Sequence, residues 1–142
     1  MWQKYSEQAG EATYYALAEA HARRSNSVSP EHLLLGLIHV EGSVAVGILD
    51  RLGVSTGRIR AELEPQIIPG TDAIAQEAQL TPDAKRVIDR AYHEAITEDA
   101  LQIGSEHILL GLLGEDGIAC RVLTKLGADI DGIRRVRQPD RA

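Results

Sequence analysis

The sequence predicts an all-α fold of eight helices, arranged as two four-helix units in tandem. Three observations carry this. The stretch EHLLLGLI, Glu31 to Ile38, returns as EHILLGLL, Glu106 to Leu113, so one unit of several helices has been duplicated at a spacing of about 75 residues. Apolar positions recur at intervals of three and four, the period of a helix face, and no segment alternates as a strand would. Serine, threonine, proline and glycine fall where helices start and stop.

The register extends well beyond the two blocks. Ser6 stands opposite Thr81, Ala9 opposite Ala84, Ala16 opposite Ala91, and Glu19 and Ala20 opposite Glu94 and Ala95. With one residue dropped from the second copy, Val44, Ala45 and Leu49 meet Ile118, Ala119 and Leu123, and the pair Leu52 and Gly53 meets Leu126 and Gly127. The expected division is a first repeat over 5–68, a linker over 69–79 and a second repeat over 80–137.

From Ser6 to about Arg24, Ala9, Ala12, Ala16 and Ala20 form one helix face, with Ser6 as N-cap. An alanine face lets a neighbouring helix approach closely. Asn26, Ser27 and Ser29 interrupt the pattern, and Pro30 takes the first position of the next helix, where its missing N–H costs nothing. That second helix is apolar nearly all round and must be buried. Gly36 and Gly111 sit inside the two blocks despite a cost of about 1 kcal/mol relative to alanine, which marks close approach of another backbone.

Val44, Ile48, Leu49 and Leu52 make a third, amphipathic helix stopped by Gly53. Ser55 caps a fourth, lined by Ile59, Leu63 and Ile67 and ended or bent by Pro65. The second half repeats the plan. Thr81, Pro82 and Asp83 give a cap, an N1 proline and a first-turn acid, and Ala84, Val87, Ile88, Ala91 and Ala95 give the buried face. Gly104 and Ser105 open the Glu106 helix, Gly117 to Leu126 forms the next, and Asp129 begins the last, whose apolar side is Ile130, Ile133 and Val136. QPDRA is expected as a frayed tail.

At 142 residues the chain fits one domain with a sufficient core. Fifteen basic residues against 21 acidic ones give a net charge of -6, which opposes binding to a phosphate backbone. The basic cluster Arg134, Arg135 and Arg137 complements the negative end of the last helix. A single cysteine, Cys120, excludes an internal disulfide and suits a reducing compartment. The opening MWQKYSEQAGEA lacks the apolar core of a signal peptide, and no apolar run approaches the ~20 residues of a membrane helix. A cytoplasmic protein without nucleic-acid or membrane partners is expected.

A serine or threonine cap on the first helix, then (S/P)EH(L/I)LLGL, then an amphipathic helix ending in LG, all present twice, resembles the N-terminal domain of the Clp unfoldases, the ClpC type above all. The match runs from about Tyr5 to Arg137 and is tightest over TPDAKRVI, Thr81 to Ile88, and GSEHILLGLL, Gly104 to Leu113. The resemblance implies a non-enzymatic protein-binding module that recruits substrates, or adaptors such as MecA or ClpS, to a ClpC–ClpP protease. It equally admits a structural accessory that binds and stabilises the Clp assembly. No GxxxxGK(S/T) phosphate loop occurs, so the chain is an excised domain or a free-standing relative that accompanies such a machine.

The ClpC type also recognises arginine-phosphorylated proteins. By motif, the resemblance assigns Glu31 and Glu106 as the carboxylates for the guanidinium end, and Ser6 and Thr81 as hydroxyls at the phosphate end. The chain departs from the pattern at Gln8 and Asp83, where many relatives carry a basic residue, and at Pro30, which removes a backbone donor. Asp83 would repel phosphate, so the first-half site is the more favourable of the two. Read without the resemblance, each glutamate is a first-turn acid stabilising its helix by about 0.3–1 kcal/mol.

His32 and His107 follow the glutamates, but their spacing is not that of HExxH and no ligand cluster accompanies them. Neither metal nor cofactor is expected, and buried histidines bonded to backbone are. Cys120 reads as a packed cysteine. Trp2 and Tyr5 are candidate partner anchors, with covering the end of the first helix as the alternative.

Overall fold

The computed structural model describes residues 5–70 and 79–137. Among them are eight α-helices in two sets of four. The first set is α1 (Glu7–Ala22), α2 (Pro30–His39), α3 (Val44–Arg51) and α4 (Thr56–Leu63). The second is α5 (Pro82–Thr97), α6 (Ser105–Leu113), α7 (Ile118–Leu126) and α8 (Ile130–Arg137). A single 3-10 turn, Glu64–Gln66, follows α4 at Pro65, so the proline ends the helix and Ile67 lies beyond it. Trp2, most of the expected linker and the QPDRA tail lie outside the described residues.

The caps are those the sequence signals. Ser6 Oγ accepts from the Ala9 amide at 3.1 Å, Ser43 Oγ from Val46 at 3.1 Å, Ser55 Oγ from Arg58 at 3.0 Å and Thr81 Oγ1 from Ala84 at 3.2 Å. Each removes one of the unpaired amides at a helix start. Gly53 and Gly127 end α3 and α7 in the left-handed region, at φ 76° and 110°. The ends of α1 and α5 carry no such signal. There Arg24 and Asp99, both at φ 57°, turn the chain, and the amides of Ser25 and Ala100 reach back to Ala20 and Ala95 at 2.9 Å.

The core is built around α2 and α6. Leu34, Leu35, Leu37, Ile108, Leu109 and Leu112 are all buried. The alanine faces of α1 and α5 press on them so closely that side chains give way to backbone. A Cβ at Gly36 would lie 2.2 Å from the Ala12 carbonyl oxygen and 2.6 Å from the Ala16 nitrogen, and one at Gly111 would lie 2.4 Å from the Val87 carbonyl oxygen. The expected faces otherwise hold, except that Leu52, Ile88, Ile130 and Val136 are half-buried at the edge of the core and Val44 is exposed.

The two sets interlock. Helix α4 packs on α7, α3 on α8 and α2 on α6, so each half closes the core of the other. The expectation of no strand is corrected at two points. Ser27–Val28 (β1) pairs in parallel with Gln79–Leu80 (β2), and Tyr5 bridges Ile103 in the same sense. N-cap residues and the residues before them are extended, which frees their backbone groups for another chain segment. The Ser6 amide accordingly donates to the Ile103 carbonyl at 2.8 Å, and the Thr81 amide to that of Val28 at 3.0 Å.

Candidate functional site

Those two bridges decide which candidate residues meet. Ser6 is hydrogen-bonded through its backbone to the segment that opens α6, so it stands beside Glu106. Thr81 is bonded in the same way to the segment that opens α2 and Glu31. Each candidate hydroxyl therefore stands beside the helix start of the other half.

Around Ser6 and Glu106 the starts of α1, α3 and α6 converge on the α5–α6 loop to form a cleft of about 540 Å³. Its walls include Ser6, Glu7 and Gln8 from α1, Val44 from α3, Glu106 from α6, and Glu98 and Leu101 from the loop side. Gln8 Oε1 accepts the Val44 amide at 3.0 Å, and the buried Ser105 Oγ accepts the Ala45 amide at 3.0 Å, so side chains from α1 and α6 cap α3 from outside. The Glu106 carboxylate folds back over Gly104, where a Cβ would meet its Oε1 at 2.0 Å. A carboxylate there lies in the positive field of the α6 start.

Behind the cleft, His107 Nδ1 accepts the Gly104 amide at 2.8 Å, which leaves the proton of the neutral ring on Nε2 to donate to Glu98 at 2.8 Å. Arg137, in the last turn of α8, places two nitrogens on the same carboxylate at 2.6 and 2.9 Å. Its guanidinium, and then His107, hold the Glu98 carboxyl well below the usual range, at about 2. Arg134 makes a parallel contact with Glu94 at 3.2 Å. The basic end of α8 thus serves as a tie to α5 as well as a complement to its own dipole.

At the start of α5, Thr81 and Asp83 are occupied with each other and with the helix. The Thr81 hydroxyl donates to Asp83, whose Oδ1 also accepts the Ala84 amide at 3.1 Å. At the start of α2, His32 Nδ1 accepts the Ser29 amide at 3.0 Å, but its buried Nε2 finds no hydrogen-bond partner. Arg23 takes the position that Glu98 has in the second half, paired with Glu19 and with Glu64, the latter at 2.9 Å. Burial, then the Arg23 charge, push the His32 pKa down to about 4.

Tyr5 packs half-buried on the core, as a residue covering the end of the first helix would, and burial raises its hydroxyl pKa. Cys120 is half-buried with Sγ 3.5 Å from the Leu113 carbonyl oxygen. Sequence reasoning did not single out Glu98 or Leu101, and it read Arg137 only as a complement to its own helix dipole. The signal for Glu98 was present: at the repeat spacing of about 75 residues it falls on Arg23, a reversal of charge beside an otherwise repeated histidine. No group of three or more His, Cys, Asp or Glu side chains able to hold a metal occurs among the described residues, and no single helix there is long and apolar enough to cross a membrane.

A doubled four-helix unit with helix starts gathered from both halves around an acidic cleft defines an all-α tandem-repeat domain. The family model for the Clp repeat (R) N-terminal domain matches residues 4–99 and 79–139, and the chain belongs to that family. It is 40% identical over 135 residues to the chloroplastic chaperone protein ClpC1 of Oryza sativa subsp. japonica, covering 94% of this chain and 15% of that protein. The chain therefore spans only a small part of such relatives. The N-terminal domain of the caseinolytic protease-associated chaperone ClpD from Arabidopsis thaliana superposes with a TM-score of 0.72 at 26% identity, over 95% of this chain and 96% of that one. A ClpV N-domain solved in complex with a VipB peptide shares the fold, with a TM-score of 0.72 at 16% identity over 87% of this chain and 79% of that one.

Proposed function

We propose that this domain is a non-enzymatic protein-binding module that recruits substrates or adaptors to a Clp unfoldase and its protease. The observation that carries the reading is the cleft between Ser6 and Glu106, formed where the two halves meet and lined by carboxylates beside helix starts. The ClpV N-domain that shares this fold was solved with a bound peptide, which supports peptide docking here.

The ligand-binding residues are Ser6 with Glu106 and Thr81 with Glu31, and the ligand is a side chain bearing a guanidinium, of which phosphoarginine is the modified form. A carboxylate takes guanidinium N–H groups in pairs, and no hydride, acyl or phosphoryl chemistry is asked of the site. Trp2 and Tyr5 add apolar contact for the partner at the chain start.

Calorimetric titration with arginine and phosphoarginine peptides, repeated on Glu31→Ala and Glu106→Ala, tests the ligand class. Heat that disappears in either variant supports it, and heat unchanged in both removes it. Affinity capture with Clp unfoldase and protease subunits tests the recruitment role independently, and failure to bind either those subunits or their substrates ends it.

A further inference from the structure

We propose that the first repeat carries a second docking site, a cleft at the C-terminal end of α2 where a lysine or arginine side chain of a partner protein seats on the Tyr15–His39 ring pair between Glu11 and Glu41. It goes beyond the docking reading above, because it shares no wall residue with the Ser6–Glu106 cleft and lies about 12 Å of helix away from Glu31.

Helix α1, the end of α2 and the start of α4 enclose about 400 Å³ here, within the roughly 300–1,000 Å³ typical of ligand sites. Tyr15 lies against His39 with ring centroids 4.0 Å apart, and Tyr14 meets Tyr15 edge-on at 5.5 Å. The chain has four tyrosines, one tryptophan and no phenylalanine, so half of its tyrosines stand at this one place. The core does not bury them: Tyr14 is 68% exposed, His39 is exposed and Tyr15 is half-buried. Rings held open to water present the negative face that attracts a cation.

The charges complete the pattern. Glu11 and Glu41 are exposed on the walls, and no lysine or arginine among the described residues pairs with either. Arg60, the arginine on the wall, is engaged by Glu19 at 3.3 Å and Glu64 at 3.6 Å. Its tie to Glu19 recurs in the second half as Arg134 on Glu94, so it is part of the scaffold.

The second half supplies the independent observation. At the repeat spacing Glu11, Tyr15, His39 and Val40 become Arg86, Arg90, Gly114 and Glu115. There Arg86 and Arg90 reach Glu115 at 2.8 and 3.8 Å, and Arg90 lies across Gly114, where an added Cβ would meet its Cδ at 2.7 Å. The fold thus seats its own cations on a carboxylate at this corner. In the first half an acid and an aromatic stand in the places of the two arginines, and the matching cation comes from a partner.

The test is a heteronuclear NMR titration of the whole chain with a Gly-Ser peptide carrying a central lysine, with the same peptide carrying arginine, and with the same carrying glutamine. Expected are shifts of the Tyr15, His39, Glu41 and Thr56 amides with the lysine or arginine peptide and none with glutamine. Affinity is expected to fall about tenfold in the double variant Glu11→Gln, Glu41→Gln and severalfold in Tyr15→Leu, and to stay unchanged in Asp50→Asn on the exposed surface of α3. Circular dichroism melts of each variant exclude a folding defect. A response to either cation supports the site and identifies which it prefers. Shifts spread over the acidic surface, equal shifts with glutamine, or affinity unchanged in the double variant overturn it. No response to either cation overturns it too, and affinity capture with Clp subunits then decides the docking reading separately.

Discussion

His107 Nε2 donates to Glu98 across 2.8 Å, while the matching nitrogen of His32 is buried with no partner and has Arg23 in its field. The repeat has kept the histidine and its bond to the N-cap amide in both halves. It has reversed the charge beside the ring.

Burial of the His32 ring, and then the Arg23 charge beside it, sets a dependence on pH. The His32 pKa lies at about 4 in the fold against an ordinary 6.5, so the unfolded chain takes up a proton below 6.5 that the folded chain refuses until about 4. Stability from this group is complete above about 6.5 and falls between 6.5 and 4, by on the order of 3 kcal/mol over the whole window. His32→Gln keeps a side chain able to reach the N-cap amide and removes the titration. Urea denaturation from pH 7 to 4 is expected to show a shallower loss of stability in that variant, and parallel curves would refute the assignment.

Glu98 acts at lower pH with the same sign. Its carboxyl titrates at about 2 rather than 4.5, so its contribution is present above about 4.5 and disappears as the pH falls toward 2. Glu98→Ala removes the acceptor of a buried histidine N–H and releases Arg137. An unsatisfied buried donor costs about 1–3 kcal/mol. Denaturation is expected to show a loss of that order, and hydrogen exchange is expected to show faster exchange along α8 than along α7.

Glycines in this fold separate by what surrounds them. Gly10 and Gly47 lie within helices and have nothing within 4 Å of an added Cβ, so alanine there is expected to stabilise by about 0.5–1 kcal/mol through helix propensity. Gly36 and Gly111 face backbone at 2.2 and 2.4 Å, where nothing flexible can yield. Gly36→Ala and Gly111→Ala are expected to cost at least about 1–3 kcal/mol, so overpacking outweighs the propensity gain. Thermal melts of the four single variants check the change of sign.

The central helices should behave as core. Leu34→Ala and Leu109→Ala each empty a fully buried site and are expected to lose on the order of 2–5 kcal/mol in chemical denaturation. A loss below about 1 kcal/mol would place α2 and α6 outside the cooperative core.

Much of the fold was legible because it is written in local chemistry. A cap at Ser6 or Thr81, a proline at Pro30 or Pro82 and a glycine at Gly53 or Gly127 act on amides and dihedrals a few residues away. The turns at Arg24 and Asp99 were not, since arginine does not signal the left-handed conformation and an aspartate, which tolerates it, is as common elsewhere in the chain. Two-residue strands are too short to leave any alternating pattern, so β1, β2 and the Tyr5–Ile103 bridge had no trace in the sequence.

By itself the sequence determined a duplicated all-α unit, most of its helix starts, its buried leucines and the glycines where helices touch, because periodicity and capping are properties of neighbouring residues. Only the tertiary structure decided that Ser6 belongs with Glu106 and Thr81 with the start of α2, and that Glu98 links His107 to Arg137. Those partners lie on different helices or in different halves, and backbone bonds between extended segments, together with packing of one half on the other, bring them within a few ångströms.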